Sequence, residues 1–220
     1  MIYATLSADI VKSTSLSTKD TFRLRNYLQL FINKASLENK GVWGRIIKGD
    51  ELELVATNPN SILRIALLLK CYIRMFNPED CASKVFKKYG IRIAIGIGEL
   101  RINDKLQGII DGDAIYLSGR GLSELSESKT DYFLLASKNS SLSGLDIICS
   151  LLDVLINNAT ARQCEILYYR LQKKNEYQIA EILGIKQATV NGHSTSISWN
   201  TISKAVSYFE DYNFNITIER

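Results

Sequence analysis

Two hydrophobic periods alternate along the first half of the chain, one typical of strands and one typical of helices. An apolar run over residues 2–8 predicts a strand, and residues 45–55 predict a hairpin whose arms flank a Gly-Asp turn. Helical spacing of apolar residues over 19–37 and 61–76 predicts two amphipathic helices. Together with a further strand at 91–98, this order predicts a ferredoxin-like palm within an α/β (α+β) fold.

The predicted strand at 91–98 has two unlike faces. One face carries only isoleucine, which indicates core, whereas the other carries Arg92, Ala94, Gly96 and Gly98. Glycine in a strand often marks the close approach of another backbone or of a ligand. The small face therefore predicts either a tightly packed helix of the same domain or a bound ligand, and the pattern alone does not separate the two.

The segment that follows is more polar. Residues 101–112 are rich in Asp and Gly and predict a polar connection. Residues 116–125 predict a helix whose start presents Arg120, and residues 131–135 predict a last strand. A lone arginine of this kind is more often a surface residue in a salt bridge than a ligand contact.

The pattern divides the chain into three parts. Residues 1–138 form the predicted first domain, 139–159 a linker helix, and 160–220 a small all-α domain. The linker helix is strongly apolar over 145–156. We expect it to bury itself against the first domain, the second domain or a partner chain.

The last part has the spacing of a helix-turn-helix. Capping boxes that begin at Thr160 and Asn175 predict two helix starts. Ala180, Gly184 and Val190 fit a small residue where two helices cross, a glycine in the turn and an apolar anchor on the recognition helix. An ordinary helical hairpin is the alternative. The core between these helices is expected to contain Ile179, Ile182, Leu183 and Ile185.

The start of a recognition helix can reach base edges in the major groove of double-stranded DNA. The side chains predicted to make these contacts are Lys186, Gln187, Thr189, Asn191, His193 and Ser194. Phosphates would be contacted by Lys173, Lys174, Lys186 and Lys204. Residues 162–204 hold six basic and three acidic residues, so one copy should bind weakly and a dimer would be needed for affinity. The lone His193 could equally be a solvated helix residue.

Composition limits the class of protein. The 220 residues are 46% hydrophobic and 23% charged, as is typical of a globular protein, and no apolar run reaches the length of a membrane span. The start of the chain lacks the basic residues of a secretion signal, and the cysteines lack metal-type spacing. These features predict a cytoplasmic protein with no membrane partner and with reduced thiols at Cys71, Cys81, Cys149 and Cys164.

Candidate chemistry lies at two strand ends. Asp9 ends the first apolar run and Asp50 lies in the hairpin turn, with a Ser-Thr loop after Asp9. Two carboxylates of this kind suit a divalent metal and a polyphosphate, because Mg²⁺ prefers one or two carboxylates plus phosphate oxygens. The alternative is local, with Asp9 capping a loop and Asp50 forming a turn. The net charge of +4 is unevenly distributed, with +5 on residues 1–144 and −1 on residues 145–220, and the positive excess of the first part is consistent with an anionic ligand.

Three segments resemble the motifs of class III adenylate and guanylate cyclases. They are the stretch Ala8-Asp9-Ile10-Val11-Lys12-Ser13-Thr14, the stretch Lys48-Gly49-Asp50-Glu51-Leu52, and residues 112–120, which are similar to the family's Gly-x-x-Val-Asn-x-Ala-x-Arg. They occur in the family's order, and the resemblance covers about residues 1–135.

The resemblance implies a set of roles for these residues. It implies a metal, Mg²⁺ or Mn²⁺, on Asp9, Ile10 and Asp50, and catalysis by Asp9, Asp50 and Arg120. It implies that a nucleoside triphosphate or cyclic nucleotide contacts Ser13, Thr14, Lys48, Gly49, Tyr116 and Arg120. Because sites of this family form between two subunits, the resemblance also implies a homodimer.

The chain departs from the cyclase pattern at two places. Tyr116 stands where the active enzymes have Asn, and Ile46 or Lys48 occupies the region that usually selects the base. Metal and phosphate binding are expected to be retained, whereas turnover and base choice stay open. The pairing of a cyclase-like domain with this C-terminal segment also resembles the SatD family of bacterial proteins, in which a Gly-Asp-Glu hairpin, an Ile-Gly-Ile-Gly strand and a Tyr near the Arg occur as well. This similarity covers nearly the whole chain, and that family implies no settled activity.

Three functions follow from these features. The first is a bacterial DNA-binding regulator whose cyclase-like domain dimerises and binds a nucleotide. The second is an active nucleotide cyclase that carries the C-terminal helices as an appendage. The third is a protein-interaction module without catalysis, which the acidic residues Glu210, Asp211 and Glu219 allow.

Overall fold

The computed structural model describes residues 1–80, 82–128 and 130–214. In this part of the chain, a six-stranded sheet is flanked by helices and followed by a helical C-terminal part. The elements are β1 Ile2–Ile10, α1 Thr18–Glu38, β2 Val42–Lys48, β3 Glu51–Ala56, α2 Ile62–Met75, α3 Lys84–Tyr89, β4 Ile91–Asp104, β5 Ile109–Gly112, α4 Asp113–Glu127, β6 Phe133–Ser137, α5 Ser143–Asn158, α6 Ala161–Leu171, α7 Glu176–Leu183, α8 Gln187–Ser196 and α9 Trp199–Glu210.

The sheet confirms the predicted palm. Its strand order is β2-β3-β1-β4-β5, and β6 pairs with β4 as a parallel strand. The pairs β2–β3, β1–β3 and β1–β4 are antiparallel, as the βαββαβ order of a ferredoxin-like unit requires. The fold class predicted from the hydrophobic pattern is therefore confirmed.

The two faces of β4 are covered by different helices. The isoleucine face lies in the same core as α1 and α2, and its four isoleucines are each at most 3% exposed. The small face packs against α4, where a Cβ atom added at Gly96 would lie 2.1 Å from the carbonyl oxygen of Ala114. The hydroxyl of Ser118 on α4 also lies 2.9 Å from the hydroxyls of Thr5 and Ser7 on β1. Of the two predicted occupants of this face, the structure shows the helix of the same domain.

The segment predicted as a polar connection forms a hairpin instead. β4 continues through Asp104 and pairs with β5, with a turn at 105–108. Long-range contacts hold this hairpin over β2, because the Trp43 indole donates to Asn103 at 2.8 Å and Arg45 donates to the Gly108 carbonyl. The prediction that residues 101–112 lack strands was wrong, and helix α3 was not predicted.

Both predicted capping boxes are present in the C-terminal part. Thr160 and Gln163 form one at the start of α6, and Asn175 and Gln178 form the other at the start of α7. Gly184 ends α7 with φ +62°, a backbone conformation that glycine adopts without strain. The core between these helices consists of Ile166, Ile179, Ala180 and Val190, with Tyr169, Leu183 and Ile185 packed against it. Ile182 was wrongly assigned to this core, since it is 48% exposed.

The N-terminal and C-terminal parts share buried contacts. Helices α5, α6 and α9 contribute side chains to the same core as α2. Within it, the Lys70 ammonium of α2 pairs with Asp153 of α5 at 2.5 Å, and both side chains are buried. The helix that we predicted at 145–156 is thus buried against both the N-terminal and the C-terminal part of the chain. The division of the chain at 139–159 stays a prediction.

Two expectations from composition can be compared with the structure. In the described ranges no helix is long and apolar enough to cross a membrane. Cys71, Cys149 and Cys164 are buried and carry free thiols, while Cys81 lies outside the described residues. Glu219, part of the acidic end, also lies outside them.

Candidate functional site

Strand pairing brings Asp9 and Asp50 to the same edge of the sheet. Asp9 lies near the end of β1, directly opposite Glu51 of β3. Asp50 precedes Glu51 in the turn between β2 and β3, and its carbonyl oxygen accepts a hydrogen bond of 3.2 Å from the backbone N–H of Ile10. The two carboxylates that the sequence singled out are therefore neighbours, as a shared cation site requires.

The loop after β1 folds back onto the same edge. Lys12 has a positive φ of 55°, which turns the chain into a short 3-10 helix at Ser13–Ser15. The Ser13 hydroxyl donates a hydrogen bond to the Asp50 carboxylate. Thr14 is exposed beside it. Of the two hydroxyl groups predicted to contact phosphate, that of Ser13 thus contacts one of the two carboxylates.

The electrostatics of Asp9 are unusual for a half-exposed carboxyl group. The pKa of Asp9 is raised from 3.8 to about 6, chiefly by burial and then by the neighbouring Asp50, while Arg92 lowers it in part. Like charges held close together each disfavour ionisation of the other. The positive charge of Arg92 therefore does not fully offset the effects of burial and of Asp50 on the Asp9 carboxylate.

That arginine was not predicted as a site residue. Arg92 lies opposite Asp9 in the pairing of β1 with β4, and its guanidinium donates to the Asp9 carboxylate at 3.1 Å. It also lies over the ring of Tyr132, 5.8 Å from its centroid, and its Nε has no hydrogen-bond partner among the described residues. The sequence showed Arg92 only as a residue on the small face of a strand. Its role depends on the register between β1 and β4, which local patterns do not specify.

The donor set fits a divalent metal that keeps part of its coordination for a ligand. Asp9 and Asp50 offer carboxylate oxygens, whereas Ile10 could contribute only its backbone carbonyl, since its side chain is buried. The described part of the chain contains no cluster of three or more His, Cys, Asp or Glu residues suited to a metal. Two carboxylates completed by phosphate oxygens and water are a typical arrangement for Mg²⁺. A dication there would also relieve the repulsion between Asp9 and Asp50.

Lys48 and Gly49 lie at the exposed tip of the β2–β3 hairpin, close in sequence to Asp50. Tyr116 and Arg120, by contrast, lie on helix α4, which covers the small face of β4. No hydrogen bond or ion pair between described residues connects either of them to Asp9, Asp50 or Ser13. Within one chain, Asp9, Asp50 and Ser13 therefore lie together at one edge of the sheet. Tyr116 and Arg120 have no contact with them.

The environment of Tyr116 and Arg120 also differs from the prediction. The Tyr116 hydroxyl donates to Asp111, which in turn pairs with Arg101 at 2.5 Å. Arg120 is exposed and forms no ion pair with any residue that the structure describes. It lies in the middle of α4, since that helix begins at Asp113, so the prediction that Arg120 stands at a helix start was wrong.

The predicted DNA-contacting residues differ in accessibility. Lys186, Thr189 and Asn191 are exposed, and Gln187 and His193 are half-buried. Ser194 is only 4% exposed, and its hydroxyl accepts a hydrogen bond of 3.2 Å from Nε of Arg170. A buried hydroxyl that is already paired cannot reach a base edge, so we remove Ser194 from the predicted DNA contacts. It shares a helix face with Val190, four residues earlier, which is fully buried.

Glu176 connects three of the C-terminal helices. Its carboxylate accepts hydrogen bonds from Gln187 at 3.1 Å, from Asn191 at 3.2 Å, and from the guanidinium of Arg170. Burial acts to raise the pKa of Glu176, but the hydrogen bonds from Asn191, Gln187 and Arg170 outweigh it and hold that pKa below its ordinary value. Two predicted DNA-reading amides are thus already oriented by a carboxylate.

Comparison with known proteins gives structural similarities only. No family model matches the chain, and no curated protein matches it. Two solved structures of a bacterial light-regulated adenylyl cyclase are each 16% identical, with TM-scores of 0.45 and 0.44; each alignment covers 61% of this chain, and they cover 74% and 43% of the cyclase chains. The guanylyl cyclase Cya2 is 14% identical with a TM-score of 0.37, over 56% of this chain and 70% of its own. Membership of the SatD family stays a prediction.

Proposed function

We propose that the chain is a nucleotide-responsive DNA-binding regulator. Its N-terminal part binds a divalent metal, Mg²⁺ or Mn²⁺, together with the phosphates of a nucleotide at the edge formed by Asp9 and Asp50. Its helices α7 and α8 bind double-stranded DNA. The observation that carries the proposal is the convergence of Asp9, Asp50, Ser13 and Arg92 at one edge of the sheet.

Each residue at this edge has a distinct part in binding. Asp9 and Asp50 would hold the metal, which would supply positive charge to the phosphates. The Ser13 and Thr14 hydroxyls would donate to phosphate oxygens. The guanidinium of Arg92, which contacts Asp9, is a further cation whose planar donors suit a phosphate.

The DNA-binding part of the proposal rests on free cations and on exposed polar side chains around α8. Lys173, Lys174, Lys186 and Lys204 form no ion pair with any described residue, so they are available to phosphates. Thr189 and Asn191 are exposed on α8. Because the basic excess of this part is small, DNA affinity requires two copies of the chain.

A second candidate function is nucleotide cyclisation. The observation that favours it is Arg120, an exposed cation without an ion-pair partner in the described ranges. In this reaction the ribose 3′-hydroxyl attacks the α-phosphate and pyrophosphate leaves, with Asp9 and Asp50 binding metal. Arg120 would have to come from a second copy to stabilise charge on the phosphate, since it has no contact with Asp9 or Asp50 in its own chain. The Tyr116 hydroxyl, paired with Asp111, argues against turnover.

The experiment that tests the proposal measures thermal unfolding of the full chain with each of the four nucleoside triphosphates and with Mg²⁺ or Mn²⁺. We expect metal and nucleotide together to raise the melting temperature more than metal alone does, and we expect this additional rise to be lost in Asp50→Asn. The matched control is Asp211→Asn, which removes an exposed carboxylate far along the chain from the site. Mass spectrometry on the same samples detects cyclic product.

The outcomes separate the functions. Stabilisation by metal and nucleotide without cyclic product supports the regulator. Selection of bound duplexes from a random DNA pool then tests the DNA-binding part of the proposal. A cyclic product that disappears in Asp50→Asn would establish the enzyme instead. Absence of both nucleotide and DNA binding would contradict the first two functions and leave the protein-interaction module.

A further inference from the structure

A polar cavity of about 230 Å³ lies between helix α3, the segment that precedes β6, and helix α5. The buried side chains of Asp153 and Asn157 line it, as do the exposed side chains of Lys88 and Asp131. Of the described residues that line the cavity, none was predicted to bind metal, nucleotide or DNA. The cavity is therefore separate from the sites discussed so far.

Buried polar atoms without a hydrogen-bond partner are concentrated beside this cavity. The described part of the chain contains six such side-chain atoms, and five of them belong to Lys70, Arg74, Asp153 and Asn157. Lys70 and Arg74 lie one turn apart on α2, and Asp153 and Asn157 lie one turn apart on α5. Lys70 and Asp153 compensate each other's charge as an ion pair. Arg74 and Asn157 have no such compensation.

Arg74 gives this region one uncompensated positive charge. It is 8% exposed and donates to the Ala159 carbonyl, but its Nε and Nη1 have no partner among the described residues. The Lys70–Asp153 pair is neutral overall, and the exposed Lys88 and Asp131 also balance each other. Because a guanidinium stays charged in proteins and a buried charge without a counterion is costly, the region favours a ligand with one negative charge.

The amide of Asn157 adds a second requirement. It is 8% exposed, and its Oδ1 has no hydrogen-bond partner in the described ranges. An amide oxygen accepts hydrogen bonds, so the ligand group that satisfies it must be a donor. Chloride and sulfate have the required sign of charge but offer no donor.

We propose that this cavity binds a small hydroxy acid, which carries a carboxylate and at least one hydroxyl group. The carboxylate compensates the positive charge of the region and contacts the Lys88 ammonium, which forms no ion pair with any described residue. A hydroxyl group donates to Oδ1 of Asn157.

The size of the cavity separates this ligand from a nucleotide. Sites for drug-sized ligands have volumes of about 300–1,000 Å³. A cavity of about 230 Å³ therefore suits a smaller molecule than a nucleoside triphosphate. The proposal is independent of nucleotide and DNA binding, so its failure would leave the proposed function untouched.

The test is a calorimetric titration of the full chain, without metal or nucleotide, with glycerate and with the longer gluconate as probes. We expect at least one of them to bind, and glycerate to bind at least about tenfold more tightly than three matched compounds. These are propionate, which lacks the hydroxyl groups, glycerol, which lacks the carboxylate, and serine, which is neutral overall. No binding of either probe at about 10 mM, or equal affinity for glycerate and any matched compound, would overturn the proposal.

Two variants test the assigned contacts. Asn157→Leu removes the amide at similar volume, so we expect at least about tenfold weaker binding with no fall in the melting temperature of the ligand-free protein, because Oδ1 loses no hydrogen bond. Lys88→Glu reverses an exposed charge and should also weaken binding at least about tenfold. Lys87→Glu is its matched control, since Lys87 is an exposed lysine on α3 that does not line the cavity. Binding that persists in Lys88→Glu, or in a folded Asn157→Leu, would contradict the proposed site.

Discussion

Two carboxylates in this molecule have opposite electrostatic environments. Asp9, at the edge of the sheet, has a pKa raised to about 6 by burial and by Asp50. Glu176, between the C-terminal helices, has a pKa held below its ordinary value by hydrogen bonds from three donors. Both contact an arginine, Arg92 in one place and Arg170 in the other.

The difference shows what each cluster is suited for. A carboxylate whose charge is already compensated by hydrogen-bond donors is stabilised little by a further cation, and its role is to orient those donors. Two neighbouring carboxylates with little positive charge around them are stabilised when a cation binds between them. We therefore expect Glu176 to stabilise the helices, whereas Asp9 and Asp50 are the residues that we propose for cation binding.

The largest expected effect comes from removing the carboxylate of Glu176, which binds Arg170, Gln187 and Asn191. Glu176→Ala leaves Arg170, which is 13% exposed, without its carboxylate. We expect a loss of about 2 kcal/mol in the free energy of unfolding, or about 6 °C in melting temperature. Glu181→Ala, an exposed glutamate on the same helix, is the control and should change little. Equal melting temperatures for the two variants would show that the Glu176 network does not stabilise the helices.

The next largest effect is expected on ligand binding by Asp9 and Asp50. Asp50→Asn removes the like charge beside Asp9 and half of the proposed metal site. We expect nucleotide binding in the presence of Mg²⁺ to weaken at least about tenfold while the melting temperature of the ligand-free protein does not fall. Loss of stability together with unchanged binding would indicate that Asp50 serves only the hairpin turn, which is the local alternative.

A smaller effect should depend on pH. Because the pKa of Asp9 in the folded protein, about 6, is above its ordinary 3.8, the fold favours the protonated carboxyl. Its stabilising contribution is complete below pH 3.8 and is lost as pH rises through about 6. In a chelating buffer, the free energy of unfolding of Asp9→Asn relative to the unchanged protein should therefore rise across this window. A shift of about two pKa units corresponds to about 3 kcal/mol, and solvent screening of a side chain that is 30% exposed reduces the expected rise to about 1 kcal/mol. A difference that is constant with pH would contradict the raised pKa.

The smallest effect tests the exposed cations around α8. Lys186→Ala should weaken DNA binding about equally for all sequences and reduce the slope of log affinity against log salt by about one. Lys105→Ala, in the exposed turn between β4 and β5, should leave that slope unchanged. The measurement is fluorescence anisotropy with labelled duplexes at several salt concentrations. An unchanged slope for Lys186→Ala would remove Lys186 from the DNA contacts.

Local sequence signals predicted the parts of the fold that depend on neighbours in the chain. The capping boxes at Thr160 and Asn175 require only residues three positions apart, and both are present. The placement of Asp9 and Asp50 at one edge followed from an apolar run and a hairpin turn that end together. Binary patterning likewise indicated which face of β4 lies in the core.

The failures involve contacts between distant residues. The hairpin of β4 and β5 is polar and mostly exposed, so its pattern is that of a loop, and its contacts with Trp43 and Arg45 are separated from it by about 60 residues. The position of Arg92 beside Asp9 depends on the register of β1 with β4. The burial of Ser194 depends on Arg170, which reaches it from another helix. None of these partners can be identified from a local period.

The most direct measurement is a calorimetric titration of the full chain with Mn²⁺ at pH 6, in two buffers of different ionisation enthalpy. With a pKa of about 6, Asp9 is about half protonated at this pH, so metal binding should release about half a proton, and Asp9→Asn should release none. Glu176→Gln should bind Mn²⁺ and release protons as the unchanged protein does. Absence of Mn²⁺ binding, or proton release that persists in Asp9→Asn, would contradict the assignment of Asp9 and Asp50 as the cation site.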